Sequence, residues 1–173
     1  MTDETLLIRP VEIDDVDELR PVFEEWVRSL ATGEIIEAEV EEDLEVTRSI
    51  ARGEQLGKRY YVATLGGKVL GGMGFKVDPY EQVIEFAKTE RPVEIVNAYI
   101  SREARRRGVG RALVQRIRED ARALGYQEVL VNSGPRYEES GWGFYDKVIG
   151  VKLGFIANFY GEGFDAAVWG EVL

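Results

Sequence analysis

The chain has 173 residues, enough for one domain (1–173) with a real hydrophobic core, and its 22 Lys and Arg against 32 Asp and Glu leave a net charge of −10. That balance argues against a duplex nucleic-acid partner, whose many phosphates must be neutralised. Cysteine and histidine are both missing from the sequence. This excludes a Cys nucleophile, disulfides, Cys/His zinc sites, Ser-His-Asp triads and a histidine base, and leaves proton transfer to Asp, Glu, Tyr, Lys or water.

The sequence holds no run of about 18 apolar residues, and Met1-Thr2-Asp3-Glu4 lacks the basic start and apolar centre of a signal peptide. The expectation is a soluble cytoplasmic protein with no membrane partner. Leu6-Leu7-Ile8-Arg9, closed by Pro10, predicts a first strand. Asp14 or Asp15 is placed to cap a helix carrying Val16, Leu19, Phe23, Trp26, Val27 and Leu30, kinked or broken at Pro21 and ended by Thr32-Gly33. From Glu34 to Glu45 there are seven acids and no base. This run is either a solvated helix face or an acidic rim that attracts a cationic substrate.

Tyr60–Leu65 and Lys68–Phe75 are strand-like runs joined by Gly66-Gly67, the chemistry of a two-residue hairpin turn. Gly71-Gly72-Met73-Gly74 resembles a nucleotide loop in composition, but no helix start follows it, so it reads as a strand thinned for close packing. Asp78–Pro92 is a charged connection with a short turn around Val83–Ala87, bordering a substrate site in one reading. Val93–Ile100 reads as a buried strand and Gly110–Leu124 as an amphipathic helix ending at Gly125. Between them lies Arg105-Arg106-Arg107-Gly108-Val109-Gly110-Arg111. The glycines permit a sharp turn and close backbone approach, and free amides at a helix start suit phosphate oxygens. Glu128–Asn132 is the next strand, parallel to its predecessor through a right-handed crossover. Ser140–Val148 predicts a short helix with Phe144 and Tyr145. Two late strands, about Lys152–Asn158 and Asp165–Val172, flank Tyr160-Gly161-Glu162-Gly163 and form an antiparallel ending.

Arg105-x-x-Gly108-x-Gly110, following Ala98-Tyr99-Ile100 and opening a helix, resembles the signature of the GNAT superfamily of acetyl-CoA-dependent N-acetyltransferases, and the resemblance extends over nearly the whole chain. It implies an α/β (α+β) fold: a central mixed, mostly antiparallel sheet of six to seven strands with a parallel splayed pair in the middle and helices on both faces. It implies acetyl-CoA as co-substrate and no metal. Backbone amides from about Arg106 to Arg111 (Arg106, Arg107, Gly108, Val109, Gly110 and Arg111) would take the pyrophosphate, with Arg105 also among the cofactor-binding residues, and Ala98, Tyr99 and Ile100 the pantetheine arm. The implied reaction is direct attack of a primary amine on the thioester, without an acyl-enzyme.

Glu94, in a Glu94-Ile95-Val96 context shared with the histone-acetyltransferase branch, is the candidate base; the alternative is a strand-end carboxylate facing solvent. Tyr145 is the candidate acid, at a spacing one residue longer than the family's and with Val151 in place of its Phe, and Tyr160 is a second candidate. The backbone N–H of Ile100 is the candidate oxyanion donor, ahead of the Asn97 side chain. The expected acceptor is a cationic small molecule or a peptide amine, and the exposed late strands leave room for a homodimer. The competing reading is a non-catalytic acyl-CoA-binding sensor on the same fold. A phosphate-loop hydrolase is rejected because Gly-x-x-x-x-Gly-Lys-Ser/Thr does not occur.

Overall fold

Among the described residues, apolar runs closed by turn residues produce seven strands: β1 (Leu6–Pro10), β2 (Lys58–Leu65), β3 (Lys68–Lys76), β4 (Pro92–Ile100), β5 (Glu128–Ser133), β6 (Gly154–Ile156) and β7 (Ala166–Val172). The helices are α1 (Asp15–Trp26), α2 (Glu37–Ala51), α3 (Glu81–Ile84), α4 (Val109–Ala123) and α5 (Gly143–Val148). This is a computed structural model, and it describes residues 5–173. The strands order as β1-β2-β3-β4-β5-β7-β6 in one mixed sheet, mostly antiparallel as the family resemblance implies, with β4 and β5 the parallel pair expected from the strand–helix–strand crossover. Two compact units divide the residues: the chain up to Phe75 with Asn97–Ile117, and Lys76–Val96 with Arg118–Leu173.

In the first unit, β1 pairs antiparallel with β2. Gly66 and Gly67 carry φ of 57° and 82°, the two left-handed positions of a type I′ hairpin turn. The glycines that follow are needed for room. A Cβ on Gly72 would stand 2.4 Å from the Tyr60 ring, and one on Gly74 would stand 2.4 Å from the Arg59 carbonyl. The strand is thinned for packing. Val16, Leu19 and Phe23 of α1 and Val40 and Leu44 of α2 are buried, and each such side chain contributes about 2 kcal/mol of hydrophobic stabilisation.

Three local expectations differ here. Asp15 is not a helix cap: its carboxylate accepts two bonds from the Arg9 guanidinium, at 2.6 and 2.8 Å, and one from the Glu12 N–H at 2.7 Å. It ties the end of β1 to the start of α1. The helix runs without interruption through Pro21, since Leu19, Val22 and Phe23 are buried on either side of the proline. It stops at Trp26, and the chain doubles back through an Arg28–Ile35 bridge, so Leu30 is exposed.

In the second unit, β4 and β5 pair in parallel from Pro92 with Glu128 to Ile95 with Val131, and β7 pairs antiparallel with both β5 and β6. Val83, Leu130 and Val168 form a core on which Phe86, Leu153 and Ile156 pack. The charged connection before β4 is fastened by a buried carboxylate: Glu128 Oε2 accepts from the N–H groups of Lys88 and Thr89 and from the Thr89 hydroxyl, at 2.8, 2.9 and 3.1 Å. Helix α4 ends with Gly125 at φ 84°, where Tyr126 N–H reaches Ala121 O and Gly125 N–H reaches Arg122 O, the Schellman pairing. The single helix expected over Ser140–Val148 begins instead as a π turn, Glu138–Trp142, that leads into α5.

Gly71 combines φ of 152° with a closed flank, where a Cβ would stand 2.4 Å from the Tyr99 carbonyl oxygen. Gly71→Ala is expected to destabilise the protein by about 1–3 kcal/mol, the usual cost of overpacking, read as a lower urea midpoint with an unchanged m-value.

Candidate functional site

The basic loop forms as a backbone device. Arg106 and Gly108 both take left-handed φ, 65° and 73°. The first bond of the α4 ladder is Ala112 N–H to Gly108 O at 3.0 Å, so the amides of Val109, Gly110 and Arg111 precede it, and no acidic residue stands in the first turn. A helix start of this kind attracts anions. A Cβ on Gly108 would meet nothing within 4 Å, so the space over the loop is open. The donor set and the room fit a pyrophosphate. Arg105, Arg106, Arg107 and Arg111 are exposed, and Arg107 lines an open pocket with Leu6, Leu65, Leu70 and Val109.

The end of α1 anchors the chain where it enters this loop. Trp26 Nε1 donates to the Ile100 carbonyl at 2.8 Å, and its ring lies under the guanidinium groups of Arg102 and Arg105, at 4.6 and 5.3 Å. Glu25 accepts from the Ser101 hydroxyl and the Arg102 N–H at 3.1 and 2.9 Å. Just upstream, Asn97 sits inside β4 with φ of 49°, a left-handed residue in a strand and therefore a local break in its geometry. Two side chains, Tyr60 and Asp43, hold it and Tyr99. Tyr60 donates to the Asn97 carbonyl at 3.0 Å, Asn97 Nδ2 donates to Asp43 at 3.3 Å, and the Tyr99 hydroxyl donates to Asp43 at 3.3 Å. The Tyr99 ring is buried against Phe23, which leaves its backbone as the part able to meet a ligand.

The second unit gathers the residues predicted as acid and base, Glu94, Tyr145 and Tyr160. Glu94 is fully buried and does not face solvent. Its Oε1 accepts from Asn132 Nδ2 at 2.5 Å, and its Oε2 accepts from the Tyr80 N–H at 3.0 Å with Lys76 Nζ at 3.6 Å. Burial raises its pKa against the lowering effect of those donors. Asn132 Oδ1 in turn accepts from the Tyr160 hydroxyl. Tyr160 is 51% exposed; desolvation of its hydroxyl, and then the charge of Glu94, hold it above the usual phenol range. Tyr137 and Tyr145 are near enough to act on it electrostatically. Tyr145 is buried, its ring 5.1 Å from that of Trp169, and desolvation raises its pKa as well. Glu94, Tyr145 and Tyr160 therefore belong to one neighbourhood, with Tyr145 closed in by aromatic rings and Tyr160 at the surface.

Residues 19–151 match the model of the acetyltransferase (GNAT) family. The chain belongs to that family. Among solved structures, this GNAT chain is similar to a protein of Desulfovibrio desulfuricans assigned to the GNAT acetyltransferases, at 19% identity over 97% of this chain and 99% of the other, with a TM-score of 0.76. It is similar to the PaiA N-acetyltransferase of Thermoplasma acidophilum, solved with coenzyme A, at 17% identity over 98% and 99% of the two chains and a TM-score of 0.70. A phosphinothricin acetyltransferase of Sinorhizobium meliloti, solved with acetyl-CoA, matches at 24% identity over 100% and 89%, with a TM-score of 0.69. At these identities the likeness establishes a shared fold. A sequence comparison with curated proteins finds no match.

Trp26, Asp43 and Asn132 of this GNAT chain carry no signal in the sequence alone, because their partners lie far away along it. Asp43 is one of seven acids in its run, and only its contact with β4 distinguishes it. Burial, and next the charge of Glu39, raise its pKa from the usual 3.8 to about 6, against the bonds from Tyr99 and Asn97. A carboxyl whose pKa is raised on folding contributes stability that is present below pH about 4 and lost as the pH rises through about 6. Asp43→Asn is therefore expected to stabilise the protein above pH 6 by about 1–3 kcal/mol, allowing for solvent screening. It should also flatten the pH dependence of the melting temperature between pH 4 and 6.

Proposed function

We propose that the protein is an N-acetyltransferase that moves an acetyl group from acetyl-CoA to a primary amine in a ternary complex. The observation that carries this reading is the loop at Arg106–Gly108, two left-handed residues feeding a helix start of ladder-free amides among four arginines, in a chain of the GNAT family. Three of the structurally similar proteins were solved with coenzyme A or acetyl-CoA, which supports the same ligand here.

The amides of Arg106 to Arg111 are assigned to the pyrophosphate, with Arg105, Arg106, Arg107 and Arg111 adding charge, and the backbone of Ala98, Tyr99 and Ile100 to the pantetheine arm. When bound, acetyl-CoA supplies the thioester: the amine nitrogen bonds to its carbonyl carbon, the C–S bond breaks, and CoA thiol and one proton leave. The Ile100 N–H is the assigned oxyanion donor, and Trp26 holds the peptide that follows it through the Ile100 carbonyl. Tyr145 is assigned as the acid, since its raised pKa keeps the phenol protonated at neutral pH. Glu94 is assigned as the base, reached through water because its side chain is closed to direct contact.

The deciding experiment is calorimetry with acetyl-CoA coupled to thiol release over spermidine, kanamycin and a lysine-bearing peptide. Amine-dependent release supports the transferase. Tight binding without release for any amine favours an acyl-CoA sensor instead. Gly108→Asp, which places a carboxylate on a left-handed residue at the loop's centre, is expected to weaken acetyl-CoA binding at least a hundredfold; unchanged affinity would remove the loop's role. Glu94→Gln is expected to lower kcat most at pH values below the acceptor amine's pKa, where a proton must be taken, and progressively less above it.

A further inference from the structure

The direction of the hydrogen bonds between Glu94 and Tyr160 carries information that the residue types do not. Both Glu94 oxygens face donors only: the Tyr80 N–H, the Lys76 ammonium and the Asn132 amide. An amide side chain has one donating and one accepting end. With the Asn132 Nδ2 committed to Glu94 at 2.5 Å, its Oδ1 is the end left for Tyr160. A phenol has a single proton, so Tyr160 gives it to Asn132 and keeps only acceptor capacity for anything else that approaches.

The phenol is also held in place. Its ring lies so close over Gly134 that a Cβ there would come within 2.8 Å of it. The Tyr160 N–H is bonded to the Phe164 carbonyl at 3.0 Å, closing the loop that carries it. Phe159 stands edge-on to the ring at 5.0 Å, and Tyr80 stands edge-on to Phe159 at 5.4 Å. The result is an oriented oxygen on a half-exposed residue, backed by a buried carboxylate and beside a row of aromatic edges. Such an oxygen favours a hydrogen-bond donor, above all a positively charged one.

We propose that Tyr160 docks the acceptor's ammonium or amine group through its phenol oxygen, and that Asn132 is the positioning residue that fixes this polarity. The proposal rests on the acyl-transfer reading above. It separates the two tyrosines: Tyr145 keeps a proton to donate, whereas the proton of Tyr160 is already used. It also defines the acceptor as a primary amine on an alkyl or aromatic body, the part that the Tyr80–Phe159 edges accommodate.

The test uses the full chain, acetyl-CoA and whichever of spermidine, kanamycin or the lysine-bearing peptide turns over fastest. Tyr160→Phe is expected to raise the acceptor KM about tenfold, the loss of one charge-assisted hydrogen bond. It should leave kcat within about twofold, the acetyl-CoA KM unchanged and the alkaline limb of the kcat profile in place. Asn132→Leu frees the hydroxyl to turn, so it should raise the acceptor KM in the same sense, and the acceptor KM of the double variant should be no higher than that of Tyr160→Phe alone, while any fall in kcat reports the lost bond to Glu94. If Asn132→Leu melts below the assay temperature, Asn132→Ser replaces it, since its short side chain cannot bridge both neighbours. A hundredfold fall in kcat for Tyr160→Phe at constant acceptor KM, with the alkaline limb lost, would make Tyr160 the acid and overturn the proposal. Additive losses in the double variant would reduce Asn132 to a structural part and overturn its role. No thiol release by the unaltered protein with any of the three amines removes the transferase reading itself, and this inference with it.

Discussion

Strand β4 has to serve two incompatible purposes, and Asn97 is where it changes from one to the other. Up to Ile95 it is a buried member of a parallel pair. After Asn97, whose φ of 49° no regular strand permits, its groups are taken by side chains: Tyr60 on the Asn97 carbonyl, Asp43 on Asn97 and Tyr99, Trp26 on the Ile100 carbonyl. A non-glycine residue in that region costs on the order of 1 kcal/mol or more and persists only where its surroundings over-determine it. Helices α1 and α2 provide that surrounding, which explains why two helices remote from the basic loop in sequence decide where the loop begins.

Acidic side chains are central to this arrangement in a way that net charge conceals. Glu25, Glu94 and Glu128 each accept backbone N–H bonds from a connecting segment, and Asp15 and Asp165 do the same at β1 and at the loop before β7. In each case a carboxylate satisfies amides that no strand or helix pairs, which is the recurring need of irregular backbone. Glu94 goes further, because its remaining oxygen orders a side chain, Asn132, and through it a phenol at the surface.

What the sequence revealed followed from local chemistry. The spacing of Arg105, Gly108 and Gly110, the Gly66-Gly67 turn and the thinned strand at Gly71–Gly74 are readable because each is a constraint on backbone conformation or room at the residue itself. The apolar stripe of α4 is readable for the same reason, through Val109, Leu113, Ile117 and Ala121. The misread points depended on partners outside the local pattern. Asp15 looked like a cap until Arg9 claimed it, and Leu30 looked like a core residue until the chain turned at Trp26. Glu94 was legible as a carboxylate at the right distance before the loop, but not as one sealed from solvent. Trp26, Asp43 and Asn132 were silent, since an indole, one acid among seven and a strand asparagine acquire meaning only from what folding brings beside them.

The fastening of loops by carboxylates limits how the protein's charge can be altered. Its surplus of acids looks like a reserve from which some can be replaced by amides to raise the isoelectric point or to reduce repulsion. Glu34, exposed in the turn after α1, is a residue of that kind. Glu94 is not: both of its oxygens accept, so an amide in its place presents a donor to a group that is itself a donor. Recharging the molecule must therefore proceed by position, and the acids that matter most to its shape are among those that contribute least to its surface.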